Sequence, residues 1–288
     1  MFVKPFGYER AETLADACEA LRAGEGGAKA IAGGQSLLPM MNLGLLDLET
    51  VVDISRVGGL GAIEEEDGYL RIGALTRHRE VVGHEVLGRR QPLLAAAARH
   101  VGSPRIRTRG TLGGSLAHSD PAAEIPLALT VLGAEYEVTN GASTRSVPAA
   151  ELAVTYFTTQ LAEDELLSSV RVPALGPGWG WSFSEVSRRP GDFALVAAAA
   201  IVRTGENRIV EARVGLAGVS DRAIRLGAVE AAVAGASAED LEDRVGAIEG
   251  IEPVTDTSAS ADHRRHLARV LTIRALAEAT RRSEENAA

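Results

Sequence analysis

Apolar positions change their rhythm along this chain, and the changes divide it. Leu14, Ala17, Cys18 and Leu21 recur at helical spacing, which predicts an amphipathic helix over Thr13 to Leu21. Ala28-Lys29-Ala30-Ile31-Ala32 reads as a short buried strand that stops at Gly33-Gly34. Ser36 is placed to cap the turn from Leu37 to Leu43, and Thr50 to Ile54 forms another strand. This opening is α/β in character. After Gly58-Gly59 a hairpin is expected from Leu60–Glu64 and Tyr69–Ile72, around Glu66-Asp67-Gly68. An Ala-rich helix follows from Gln91 to Val101. Gly102 to Pro121 is expected to be mostly irregular, because Gly, Pro and small polar residues dominate it. A helix over Ala122 to Val131 and a hairpin about Asn140-Gly141 complete this part. Pro173 to Gly180 reads as a linker. Beyond it strands fit Trp181–Val186, Leu195–Val202 and Ile209–Leu216, and helices fit Leu226–Ala234, Ala238–Ile248 and His263–Arg281. Three domains are expected, over 1–57, 58–175 and 176–288.

Composition narrows the function classes. With 45% hydrophobic and 24% charged residues the chain has the profile of a soluble globular protein. The apolar run Leu195 to Val202 ends at Arg203, short of the roughly 20 residues that a membrane helix needs. Met1-Phe2-Val3-Lys4-Pro5 does not open a signal peptide, so the expected compartment is the cytoplasm. A net charge of −9 with both signs interspersed leaves no basic face for nucleic acid. Cys18 is the sole cysteine, which excludes an internal disulfide, a thiolate zinc site and an iron–sulfur cluster held by this chain alone. Redox chemistry would then need an organic cofactor or a partner. The histidines suggest no metal site: His78, His84, His263 and His266 read as solvated, while His100 and His118 flank the glycine segment.

Two glycine turns carry the candidate chemistry. Ala32-Gly33-Gly34-Gln35-Ser36-Leu37 follows a predicted strand, and Gly110-Thr111-Leu112-Gly113-Gly114-Ser115-Leu116 lies in the irregular segment. Paired glycines permit positive φ and a close ligand approach, and successive N–H groups can converge on an anion. Ser36, Thr111 and Ser115 would add hydroxyl donors. Taken singly, each pair is equally well a tight turn. No Gly-x-Gly-x-x-Gly opens a helix and no Walker-type lysine loop occurs. Ser115 lacks the Gly-x-Ser-x-Gly setting of a nucleophile elbow. The residues by themselves lead to a dinucleotide or phosphate site and no further.

Taken together, Ala-Gly-Gly-Gln-Ser-Leu-Leu-Pro (32–39) and Arg-Gly-Thr-Leu-Gly-Gly-Ser-Leu-Ala-His-Ser-Asp-Pro-Ala-Ala-Glu (109–124) resemble the medium, FAD-binding subunit of the carbon monoxide dehydrogenase and xanthine dehydrogenase family of molybdenum hydroxylases. Lys4-Pro5-Phe6-Gly7-Tyr8, Val52-Asp53-Ile54, Ile72-Gly73-Ala74-Leu75-Thr76 and Arg188-Arg189-Pro190-Gly191-Asp192-Phe193-Ala194 extend the match over essentially the whole chain.

The resemblance implies an α+β protein, in which a small α/β domain and a mixed α+β domain bind FAD. A C-terminal domain of antiparallel strands and helices closes over the flavin. Ala32, Gly33, Gly34, Gln35 and Ser36, with Leu37, would wrap the pyrophosphate from one side; Gly110, Thr111, Gly113, Gly114 and Ser115 would do so from the other. Gly73, Ala74 and Thr76 would line the middle of the cofactor, and Val101 would join the set. Asp120 would accept hydrogen bonds from adenosine hydroxyls, or cap the helix beginning near Pro121, or both. Phe193 takes the place of an aromatic residue near the isoalloxazine, where a tyrosine would donate a hydrogen bond and phenylalanine only packs. Ser115 replaces an asparagine common in the family. Arg105, Arg107 and Arg109 are either phosphate or partner contacts or solvated charges. The implied partners are a subunit with two [2Fe-2S] clusters and a large molybdenum-cofactor subunit, in a dimer of heterotrimers. This chain would bear no catalytic residue of substrate oxidation and no metal. A stand-alone FAD oxidoreductase and a non-catalytic structural subunit are the other readings.

Overall fold

The computed structural model describes residues 4–287, so Met1–Val3 and Ala288 lie outside the described residues. The first part alternates strand and helix: β1 (Gly7–Arg10), α1 (Leu14–Ala23), β2 (Ala28–Ile31), α2 (Leu37–Asn42) and β3 (Thr50–Asp53). The three strands run parallel in the order β1-β3-β2. Parallel neighbours need crossovers, and α1 and α2 provide them. Thr13 caps α1 through a reciprocal bond with Asp16: its hydroxyl accepts from the Asp16 N–H, and the Asp16 carboxylate accepts from the Thr13 N–H. Ala17, Cys18 and Leu21 form its buried stripe. Asp53 ends β3. Burial opposes its charge, but hydrogen bonds from Tyr8, Ser55 and Arg10 outweigh that and hold it down to about 2.

The second part builds a five-stranded antiparallel sheet in the order β4-β5-β10-β6-β7. Its elements are β4 (Ile63–Glu66), β5 (Tyr69–Gly73), α3 (His78–Gly83), α4 (Glu85–Arg90), α5 (Pro92–His100), α6 (Pro104–Arg109), α7 (Leu112–His118) and α8 (Glu124–Leu132). Then come β6 (Glu135–Thr139), β7 (Thr144–Pro148), α9 (Ala149–Leu152), β8 (Ala153–Thr155), β9 (Thr158–Thr159) and β10 (Leu166–Pro173). The hairpins expected around Gly68 and Asn140-Gly141 form, with both glycines at positive φ. The largest departure is the stretch 102–121, which holds two helices in place of irregular chain. Local caps explain it. The Ser103 hydroxyl accepts from the Ile106 N–H with Pro104 in the first turn, and the Thr111 hydroxyl accepts from the Gly114 N–H. Helices α3 and α4 were not anticipated from the pattern. Helix α8 is buried over nearly its whole length and lies at the centre of the main core with Leu93, Leu94, Leu116 and Tyr136.

The third part is an antiparallel meander, β11 (Trp179–Ser187), β12 (Ala194–Gly205), β13 (Arg208–Ala217) and β14 (Ile224–Arg225), followed by α10 (Gly227–Val233), α11 (Leu241–Arg244) and α12 (Ala261–Ala287). The helix expected over Ala238–Ile248 shrinks to one turn that ends before Gly246; the closing helix is longer than expected. Strand β12 explains the Ala-rich run. Ala197, Ala199 and Ile201 join the core built around α8, while Val196, Ala198, Ala200 and Val202 join the core under α12. Period-two alternation thus serves two cores, and small residues keep both helices close. At Gly180 a Cβ would overlap the Ala279 carbonyl oxygen of α12. Among the described residues no helix is long and apolar enough to cross a membrane.

Candidate functional site

The first glycine turn leaves β2 with Gly34 at φ +70°. Among the described residues no protein acceptor takes the backbone N–H of Gly34, Gln35, Ser36 or Leu37. The Gln35 side chain folds back, its Nε2 donating to the Gly33 carbonyl at 3.1 Å. Ser36 does not cap α2 as expected: it stands at φ −109°, ψ −51°, outside the extended region that aims a cap hydroxyl, and makes no capping bond. Four consecutive half-buried amides and a free hydroxyl are therefore available to an anion. Gly33 brings this turn onto the other one, since a Cβ there would overlap the Arg109 carbonyl oxygen.

The second turn is built differently. Leu112 N–H donates to Thr76 O at 2.9 Å, Gly113 N–H to Ala74 O at 2.8 Å, Gly114 N–H to Thr111 Oγ1 at 3.1 Å and Ser115 N–H to Thr111 O at 3.1 Å. Gly110 N–H is taken by Ile106 O at 2.7 Å. The expected convergence of amides is thus absent here, because tertiary packing uses them. What remains for a ligand is the Thr111 N–H, the Ser115 hydroxyl and the exposed backbone at Gly114. Gly113 is glycine for contact with the chain itself: a Cβ would lie 2.6 Å from that of Ala74.

Gly73, Ala74 and Thr76 are all buried behind this turn, and a Cβ on Gly73 would overlap the Leu60 carbonyl oxygen. They carry the turn from below. Thr76 Oγ1 is buried without a protein partner. His78, expected to be solvated, is 3% exposed; α3 tucks it against Gly110, whose carbonyl accepts its backbone N–H at 3.1 Å. Burial, with repulsion from Arg107 and Arg77, holds its imidazole down at about 4, so it is neutral. No apolar periodicity announced α3, and so no signal marked this histidine as internal.

Asp120 and Phe193 come together from distant parts of the chain. They line one cavity of about 270 Å³ with Tyr156, Leu195, Glu252 and Arg264. Phe193 is 70% exposed, free to meet a partner or ligand. Asp120 accepts from the Ala122 N–H at 2.8 Å, and burial pushes its carboxyl up. Ala123, not Asp120, occupies the cap position of α8. Gly191, two residues before Phe193, lies on Gly102, its Cβ position 3.2 Å from the Gly102 carbonyl carbon. Val101, half-buried, follows α5 at its C-cap, and its carbonyl and that of Gly102 accept from Arg107 Nη1 at 2.9 and 2.7 Å. Arg107 is therefore structural, while Arg105 and Arg109 are exposed. Tyr156 and Phe157 carried no sequence signal. Phe157 sits at φ +51°, half-exposed, with its N–H bonded to Ser119 O at 3.2 Å and its ring 5.2 Å from His118.

These residues fit a phosphate-bearing dinucleotide: open amides and hydroxyls at one place, and an aromatic-edged cavity at another. Residues 4–175 match the family model described as the FAD binding domain in molybdopterin dehydrogenase, and residues 181–279 match the CO dehydrogenase flavoprotein C-terminal domain. The chain is 38% identical to the 6-hydroxypseudooxynicotine dehydrogenase complex subunit alpha of Paenarthrobacter nicotinovorans, over 96% of this chain and 95% of that one. It is 32% identical to the carbon monoxide dehydrogenase medium chain of Hydrogenophaga pseudoflava, over 94% and 96%. A chain of the solved carbon monoxide dehydrogenase from H. pseudoflava superposes with a TM-score of 0.94 at 33% identity, covering 98% of this chain and 99% of that one. A chain of quinoline 2-oxidoreductase from Pseudomonas putida 86 does so with a TM-score of 0.91 at 33% identity, covering 100% of both.

Proposed function

The chain belongs to the family of FAD-binding medium subunits of molybdenum hydroxylases, and from that premise we propose that it relays electrons from a partner iron–sulfur subunit to an external acceptor. The observation that carries the reading is the pairing of the two glycine turns, with the amides of Gly34 to Leu37 open where Gly33 meets Arg109. FAD, when bound, can accept electrons one at a time from an iron–sulfur centre and pass them on singly or in pairs. The chain's own task is to hold and orient it. In this reading Ala32 to Leu37 grip the pyrophosphate through backbone N–H groups. Thr111 and Ser115 close the opposite side with one N–H and one hydroxyl, and Gly110, Gly113 and Gly114 let the backbones approach. Gly73, Ala74 and Thr76 support that wall from behind, and Val101 joins the set beside Gly102, on which Gly191 of the Phe193 loop lies. Asp120, expected at the adenosine hydroxyls, shares a cavity of about 270 Å³ with Phe193, which supports a place nearer the flavin end.

The single cysteine means that the cluster must sit on another polypeptide. We assign that role to a subunit with two [2Fe-2S] clusters, with substrate hydroxylation on a large molybdenum subunit, in a dimer of heterotrimers in the cytoplasm. The division at residues 57 and 175 belongs to the same proposal. Native mass spectrometry on the tagged chain from its own host tests it. FAD together with an iron–sulfur and a molybdenum subunit is the expected result. A lone chain carrying FAD would point to a stand-alone oxidoreductase, and a lone chain without it would remove the reading.

A further inference from the structure

The hairpin that carries Phe193 meets the joint between α5 and α6 at two points. Arg188 to Phe193 join β11 to β12, and all of them are exposed. Their hydrogen bonds stay inside the hairpin: the Arg189 carbonyl accepts from the Asp192 N–H at 3.0 Å and from Ser187 Oγ at 3.0 Å. Among the described residues none reaches from this loop to α5 or α6. The tip of the loop instead rests on the joint by close backbone approach. Gly191 stands at φ +85°, and a Cβ there would lie 3.2 Å from the carbonyl carbon and oxygen of Gly102. The stem is held by an ion pair. Glu185, two residues before the end of β11, has Oε1 3.2 Å from Nδ1 of His100, the last residue of α5.

The pair is orientated as well as close. Side chains alternate along a strand, so Phe183 and Glu185 share one face of β11. The His100 ring meets both, with its centroid 5.0 Å from that of Phe183 and the planes tilted by 49°. The Glu185 side chain is 7% exposed and its Oε2 is buried without a protein partner. Among the described residues His100 is the only ion-pair partner of Glu185, and removing it would leave a buried carboxylate without its counter-charge. A cation at the end of α5 also answers the carbonyl dipoles of that helix. The hydrogen bond with Glu185 is the first cause that raises the imidazole; burial and Arg107 oppose it, and Glu124 adds to it. The platform under the loop is itself fixed, because Arg107 binds the carbonyls of both Val101 and Gly102.

We propose that His100 and Glu185 are positioning residues for the flavin, their ion pair setting where Val101 and Phe193 stand against the ring. The inference rests on the FAD reading above. Val101 directly follows His100, and Phe193 lies two positions after Gly191, so both members of the site are tied to a contact between β11–β12 and the α5–α6 joint. With the pair intact, β11 keeps its place against the end of α5 and the loop tip stays on Gly102. With it broken, the loop keeps its internal bonds but loses its stem anchorage, and Phe193 moves with it. Both residues act through Val101 and the loop, and neither is assigned a chemical step.

Visible absorption and circular dichroism of the flavin in the purified complex test this role. His100→Ala should shift the flavin bands and speed FAD release roughly 10-fold from a fully loaded complex. His100→Asn keeps a donor near the place of Nδ1 and should restore both. Gly191→Ala disturbs only the tip and should shift the same bands in the same sense. It decides the matter if His100→Ala fails to fold. Native flavin spectra in His100→Ala or in Gly191→Ala overturn the inference, as does a shift in His100→Ala that His100→Asn leaves unchanged. A purified native complex that carries no flavin overturns the FAD reading instead, and the positioning role falls with it.

Discussion

The two glycine turns look alike as strings of letters, yet the fold uses them in opposite ways. In the first, glycine frees amides: four N–H groups from Gly34 to Leu37 find no acceptor in the protein, and the turn is a donor array. In the second, glycine lets chains touch. The N–H groups of Leu112 to Ser115 are taken by Thr76, Ala74 and Thr111, and Gly113 lies against Ala74. In the proposed reading the first is the binding surface, and the second is the wall against which it is assembled. A glycine pair therefore says that backbone approaches something closely; whether that is ligand or protein depends on which neighbours claim the amides.

The strongest way to break this comparison is to substitute both turns. Gly33→Val with Gly114→Val should abolish FAD binding while circular dichroism still reports the C-terminal sheet. Full FAD occupancy in that double variant would sink the assignment of the turns. Singly, Gly33→Ala should lower FAD affinity by about 100-fold or more and cost about 1–3 kcal/mol through overpacking against Arg109. Gly114→Ala meets only Thr111 Oγ1, at 2.7 Å, and should cost far less.

Acid should separate the turns next. His78 props Gly110 of the second turn and is neutral when folded, with its value depressed from 6.5 to about 4. Folding then disfavours the proton, so this contribution is complete above pH 6.5 and is lost as pH falls from 6.5 through 4. Urea unfolding should show a loss of up to about 3 kcal/mol over that window, flattened in His78→Gln. Glu124 has the reverse sign. Its value is raised from 4.5 to about 7, so its contribution is complete below 4.5 and lost as pH rises through 7. Glu124→Gln should be more stable than the native chain at alkaline pH.

Hydroxyl deletions sharpen the comparison at smaller scale. Thr111→Val removes a real cap and should cost about 1 kcal/mol in thermal unfolding. Ser36→Ala removes no protein bond, so stability should hold while titration calorimetry finds FAD bound several-fold more weakly. The smallest effect is expected at the cavity edge. Phe193→Tyr is 70% exposed and should change stability by less than about 0.5 kcal/mol, yet shift the flavin absorption spectrum.

The sequence alone determined the alternation that makes the first sheet parallel, the turn dipeptides of both middle hairpins, three of the four strands of the meander and the six collinear segments that point to the family. These are legible because periodicity, turn chemistry and short motifs are local properties of the chain. Tertiary structure decided the rest. Capping and packing turned 102–121 from apparent coil into two helices; β12 acquired two cores because helices cover both of its faces; His78 went inside because α3 has something to pack on. The meeting of Asp120 with Phe193, and of His100 with Glu185, joins residues far apart in sequence. Burial, amide satisfaction and charge coupling depend on what surrounds a group in space, and no local pattern in the chain records that.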